Sequence, residues 1–175
     1  QLEQGSYATS YIPTDGSTVT RNQDIFTRDG ISSLINSPEG VFFLETALFS
    51  DDGSNKYISI SDGTSGNNIV QIDLDYSSSQ LQYLVTSGAG VQCNLKLAYT
   101  GTNMDKIAIK WKENDFAVWL NGVEIGTDTS GLAPIGLTTI KLSAYDDGNY
   151  FEGKVKQLQV YKTALTDAQL TSLTT

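Results

Sequence analysis

The sequence has no histidine, one cysteine, three prolines and eleven lysines and arginines in 175 residues. The missing histidine removes the commonest general base and the commonest transition-metal ligand. A serine or cysteine nucleophile would therefore have no histidine to activate it. The single cysteine, Cys93, excludes an internal disulfide and a cysteine-based zinc site. Twenty acidic residues outnumber the eleven basic ones, for a net charge of −9. That sign repels phosphate backbones and anionic lipid heads, so nucleic-acid and membrane-surface partners are not expected. No apolar run approaches the roughly 18 residues of a membrane-spanning helix, so no membrane insertion is expected either.

What the chain does have is strand and turn. Its length suits one domain, which buries roughly 70% of its unfolded surface and folds on an ordinary core. Residues 1–24 are polar with little periodicity and read as an extended arm or inter-module linker. A leading strand anchored by Tyr7, Tyr11 and Ile12 is the alternative. Residues 25–175 form the domain. Alternating apolar runs at 41–49, 57–61, 70–76, 81–86, 91–97, 107–112, 116–120, 123–126, 139–145 and 155–161 are separated by Gly/Asn/Asp/Ser clusters. That pattern predicts an all-β fold, an antiparallel two-sheet β-sandwich.

The clearest piece is residues 107–126. Asn121-Gly122 signals a type I′ hairpin, whose two central residues need positive φ. Lys112-Glu113-Asn114-Asp115 can close a preceding hairpin, and pairing through the two turns sets Ala108 opposite Trp119, Lys110 opposite Ala117 and Trp119 opposite Glu124. Ile107, Ile109, Trp111, Phe116, Val118, Leu120, Val123 and Ile125 then share the core face, and Trp119 points the other way. Cys93 alternates with Val91 and Leu95, which predicts a core thiol. One short C-terminal helix is expected: Thr166 and Gln169 fit a capping box, and Leu165 and Leu170 a hydrophobic staple. About two turns cannot stand alone and must pack on the sandwich.

Three kinds of site are legible. Asp73 and Asp75 share one side of a strand, as a catalytic or metal-binding pair would, or as the solvated side of a half-buried strand. Trp119, with Lys110 and Glu124 beside it, has the make-up of a sugar-stacking site, and Tyr145 stands outward on another strand. The other reading of Trp119 is packing under a loop or at a subunit contact. Asp51, Asp52, Asp146 and Asp147 sit in oxygen-rich loops that admit one structural calcium ion, or are simply good turn chemistry.

Three longer segments resemble known groups. Gln1-Leu-Glu-Gln-Gly-Ser-Tyr-Ala-Thr-Ser-Tyr-Ile-Pro and the residues up to Arg21 resemble a junction recurrent in phage tail and virion structural proteins. Residues 151–170 resemble the closing strand and helix of laminin-G-like, concanavalin-A-like sandwiches, and residues 106–126 resemble their central hairpin. The resemblance implies a jelly roll that is the last module of a longer virion protein, extracellular and often glycan-binding. It implies a host cell-surface glycan and other virion proteins as partners, and a trimer. Glycosidase members of that superfamily carry a longer acidic strand motif that this chain lacks, and lyase members generally use histidine or tyrosine. A non-catalytic, lectin-like recognition module is therefore the expected function. A purely structural fibre or decoration domain is the alternative, and a polysaccharide depolymerase is less favoured.

Overall fold

The computed structural model describes residues 11, 13, 15–19, 25–63, 66–75, 77 and 79–175. The expected anchors Tyr7 and Ile12 lie outside the described residues, and Tyr11 is exposed. In chain order the elements are β1 (Thr27–Arg28), β2 (Glu39–Leu48), β3 (Tyr57–Ser61), β4 (Ile69–Asp73), β5 (Gln80–Ser87), β6 (Gly90–Ala98), β7 (Asp105–Lys112), β8 (Phe116–Leu120), β9 (Val123–Asp128), β10 (Thr139–Lys141), β11 (Gly153–Tyr161) and α1 (Asp167–Thr174). They form two antiparallel sheets: six strands in the order β1-β10-β3-β4-β5-β6, and five in the order β11-β2-β7-β8-β9. This is the expected sandwich with one short C-terminal helix.

The inner faces make the core. Phe42, Leu44, Ile107, Ile109, Trp111, Phe116 and Val118 come from the five-stranded sheet. Ile58, Ile60, Val70, Ile72, Leu81, Tyr83, Val85, Cys93 and Ile140 oppose them from the other. The two largest buried side chains keep their polar tips paired. The Tyr83 hydroxyl donates to the Lys110 carbonyl at 2.9 Å, and Trp111 Nε1 donates to the Ser37 carbonyl at 3.1 Å. Burial and the Asp128 charge push the Cys93 thiol up to about 12, so it stays protonated among its apolar neighbours.

The hairpin register is the one read from sequence: Ala108 faces Trp119, Lys110 faces Ala117 and Trp119 faces Glu124. Asn121 and Gly122 adopt φ of 47° and 85°, as a type I′ turn requires. Two details differ. Val123 is 60% exposed, because it follows the turn on edge strand β9 and extends past the core. Val91 also faces solvent, because an irregularity in the β5–β6 register pairs it with Thr86 while Cys93 faces Val85. Strand β4 ends at Asp73 and β10 at Lys141, both short of their expected ends at 76 and 145.

The outer face of the five-stranded sheet is apolar and needs a cover. Val41, Phe43, Ala108, Ala117 and Trp119 form it, and α1 lies across it with Leu170 fully buried among them. The helix starts with the expected capping box between Thr166 and Gln169. The Gly122 N–H donates to Thr174 Oγ1 at 3.0 Å, fixing the far end of the helix to the hairpin. Leu170→Ala is expected to cost about 2–5 kcal/mol, the range for truncating a buried leucine. It should also red-shift tryptophan fluorescence as Trp119 gains water; a urea melt with fluorescence detection reads both.

Candidate functional site

The aromatic–polar group read around Trp119 does not present itself to a ligand. Trp119 is 6% exposed beneath α1. Lys110 is buried beside it, with Nζ 2.6 Å from Asp115 and 3.7 Å from Asp167 in the first turn of the helix. Glu124 is exposed on the edge strand. The helix that sequence patterning required to pack somewhere packs here, and it takes the ring face a sugar would need. Tyr145 follows β10 and so belongs to the other sheet, away from these three.

The outer face of the six-stranded sheet is different in kind. Alternation turns Ile58, Ile60, Val70 and Ile72 inward and leaves polar side chains outside. The register arranges these in rows across the strands. One row runs Lys141, Ser59, Gln71, Leu84, Asn94, and the next runs Tyr57, Asp73, Gln82, Lys96. A third carries Thr139, Ser61, Ile69 and Thr86.

Half of this face is covered. Gly66 packs so tightly on Tyr145 that a Cβ there would lie 2.8 Å from the ring's Cζ, and its carbonyl accepts the Thr86 hydroxyl at 2.9 Å. Tyr145 lies on the β10 side and Thr86 on β5, three strand spacings or roughly 14 Å apart. The contact therefore bridges the floor of Ser59, Ser61 and Gln71, all of which are buried. The Lys141 ammonium holds the Tyr145 carbonyl at 3.0 Å and the Asp147 carboxylate at 2.8 Å. Gln71 Oε1 is buried without a hydrogen-bond partner. The other half is open: Asn94 and Lys96 are exposed, Gln82 and Leu84 half-buried, and Gln82 Nε2 donates to Asn94 Oδ1 at 2.8 Å. Amides and a lysine around a leucine suit a ligand that mixes hydroxyl groups with C–H surface.

Asp73 and Asp75 are buried, contrary to the solvated-side reading. The Lys56 ammonium, itself 1% exposed, explains why. It donates to Asp75 Oδ2 and Asp52 Oδ1, each at 2.8 Å, to Ser54 Oγ at 2.9 Å and to the Ser54 carbonyl at 3.0 Å. Asp75 Oδ2 also accepts the N–H groups of Asp52 and Gly53, and Asp73 Oδ1 accepts those of Lys56 and Asp75. The cluster ties the β2–β3 connection to the end of β4. Burial alone would depress the lysine, but the two carboxylates outweigh it and raise its pKa. Lys56, Ser54 and Ser50 hold the Asp52 carboxyl well below the usual range. Asp73 is raised, because desolvation outweighs its two N–H donors. Asp73 Oδ2 and Asp75 Oδ1 have no partner.

The four loop aspartates considered for calcium have internal partners. Asp51 accepts the Ser79 N–H at 2.8 Å and its hydroxyl at 3.0 Å. Asp52 serves Lys56, Asp146 caps the Gly148 N–H, and Asp147 pairs with Lys141. Among the described residues no three acidic or cysteine side chains converge as a metal site would require. Sequence reasoning did not find Lys56, because nothing in a lone lysine before a strand marks it as buried.

No protein-family model matches the chain, and no curated protein is similar to it in sequence. Solved structures do share its fold. The CBM40 of Ruminococcus gnavus IT-sialidase bound to α2,6-sialyllactose superposes with a TM-score of 0.68 at 15% identity, over 86% of this chain and 98% of that one. The same module bound to α2,3-sialyllactose gives 0.64 at 18% identity, over 80% and 84% of the two chains. A heptameric SAP-like pentraxin from Limulus polyphemus gives 0.57 at 16% identity, over 81% and 72%. At these identities the likeness establishes the fold alone, a two-sheet antiparallel β-sandwich.

The Lys56 cluster makes two opposite predictions. Lys56→Met should destabilise by about 3–5 kcal/mol, because it strands buried Asp75. Asp73→Asn should raise the melting temperature at pH 7, since it removes a buried charge while its amide oxygen still accepts the N–H groups of Lys56 and Asp75. A carboxyl whose folded pKa is raised costs stability while ionised and costs none below its unfolded value. The gain from Asp73→Asn should therefore vanish below about pH 4, which melting curves between pH 3 and 8 would show.

Proposed function

We propose that this chain is a non-catalytic carbohydrate-binding module that recognises a host-surface glycan through the outer face of its six-stranded sheet. The observation that carries the reading is the open polar field of Gln82, Asn94 and Lys96 around Leu84, beside the buried floor of hydroxyl and amide groups. The fold supports it, since structures with the same fold include modules bound to sialyllactose. The absence of histidine favours binding over chemistry. So does the state of Asp73 and Asp75, whose carboxylates are buried on Lys56 and backbone N–H groups and cannot flank a scissile bond. The junction-like residues 1–21 support a place in a phage tail or another virion, outside the cell and beside other virion proteins. Lys56 pairs with Asp52 and Asp75, and Lys141 with Asp147, so these loop carboxylates have cations of their own.

A structural virion role is the second reading. It is favoured by the exposed apolar side chains Val91, Leu132 and Ile135, of which the last two belong to the β9–β10 connection. Such side chains suit contact with another protein.

The two separate on one experiment. The double variant Gln82→Ala/Asn94→Ala should lose at least tenfold in retention on host polysaccharide, with its melting temperature within a degree or two of the parent. Surface substitutions of this kind usually move stability by less than about 0.5 kcal/mol. Retention that survives the substitution, or that the parent never shows, would sink the sheet-face reading.

A further inference from the structure

Residues 129–138, between β9 and β10, form no regular structure, yet side chains from four other parts of the fold hold their backbone. The Gly131 N–H donates to Asn114 Oδ1 at 3.1 Å, and the Leu132 N–H to Gln92 Oε1 at 3.0 Å. The Ile135 N–H donates to Asn68 Oδ1 at 3.2 Å, and the Leu137 N–H to Ser37 Oγ at 2.9 Å. These acceptors belong to the β7–β8 turn, to β6, to the β3–β4 connection and to the segment before β2. Asn68 Oδ1 also accepts the Gly88 N–H at 3.3 Å, which ties Ile135 to the tip of the β5–β6 hairpin. Gln92, the chain neighbour of Val91, ties Leu132 to the same hairpin.

The fixing does not serve burial. Leu137 turns into the core, but Leu132 and Ile135 are each more than half exposed, as is Val91 beside them. The hairpin tip adds the exposed Ala89, held at φ 67° in the left-handed region that glycine occupies freely and alanine does not. Ordering a loop costs conformational entropy. Here that cost is met while apolar side chains are presented to the outside, as in a contact surface organised before its partner arrives. The surface is also without charge. Residues 76–95 and 129–140 contain no Asp, Glu, Lys or Arg, although 18% of the chain is charged. Carboxylates stand at its margins: Asp128 ends β9, and Asp62 accepts Asn68 Nδ2 at 3.2 Å.

We propose that this patch, formed by Val91, Leu132, Ile135 and Ala89, is the contact between two copies of the chain related by a twofold axis. Charge selects that occupant. Each copy carries −9, so two copies repel wherever their carboxylates face each other. They meet without that penalty where neither brings a charge. A twofold axis sets the patch against itself, so apolar side chains cover apolar side chains and no second matching surface is needed. A partner of opposite charge would be steered to the carboxylate-rich surface and would find no complement on this one. The proposal rests on the exposed side chains of the second reading, to which it gives an occupant, and it does not depend on a bound glycan. The patch shares no residue with the field of Gln82, Leu84, Asn94 and Lys96.

The test is sedimentation velocity of the whole chain, with no glycan present, at concentrations from about 10 μM to about 1 mM. A monomer–dimer equilibrium is expected. It should shift several-fold toward dimer as salt rises from about 0.05 to about 0.5 M, because screening removes the repulsion and leaves apolar contact in place. Leu132→Ser/Ile135→Ser should weaken the dimer about tenfold or more. Its melting temperature, taken where both proteins are monomeric, should stay within about two degrees of the parent. Val123→Ser, an equally exposed valine at the other end of β9, should leave the dimer unchanged. A chain that stays monomeric at about 1 mM in high salt, a dimer that salt weakens, a dimer that the double variant leaves intact, or an assembly of odd order would each overturn the proposal. A monomeric parent would leave this surface, and the second reading, to a different protein. Retention on polysaccharide is measured separately, so the glycan reading stands or falls on its own.

Discussion

A β-strand has two faces, and burying one in a core leaves the other to be dealt with. This constraint arranges everything outside the core of this protein. The five-stranded sheet turns Val41, Phe43, Ala108, Ala117 and Trp119 outward, an apolar surface that water disfavours, and the chain returns at its C-terminus to cover it with α1. The six-stranded sheet turns serine, threonine, glutamine and asparagine outward, and the contact of Gly66 with Tyr145 covers only half of it. The helix thus decides which face remains free for a partner, and it closes the face that holds the most conspicuous aromatic residue.

Charge inside the molecule follows a related rule. A buried carboxylate is tolerable when cations and N–H groups surround it. Lys56 meets four oxygen acceptors within 3.0 Å. Because the cation is covalently attached, the loop's geometry does not depend on the supply of one. Asp73 is the member this arrangement serves least well: its second oxygen is unpaired and its pKa is raised.

Much of the fold was legible because it rests on local rules. Period-2 alternation placed the core, the turns at 112–115 and at Asn121-Gly122 fixed the register of β7, β8 and β9, and the Thr166–Gln169 capping box located the helix. What escaped was non-local. Trp119 faces away from the core as its register requires, yet whether that direction means solvent depends on where a helix fifty residues later comes to rest. Asp73 and Asp75 are both buried, and their burial depends on Lys56, one hairpin earlier in the chain. Val91 and Val123 lose their cover to a register irregularity and a strand edge, neither of which hydropathy records.

Cys93 has a practical consequence. It is the sole thiol in the sequence, it is sealed in the core, and its pKa stands near 12. Alkylating reagents reach a thiolate only when the molecule opens, so the labelling rate at Cys93 is a direct clock of global unfolding. A cysteine introduced on the surface would react alone while the protein is folded. The domain therefore comes ready for oriented immobilisation or single-site dye attachment, with no native cysteine to remove first.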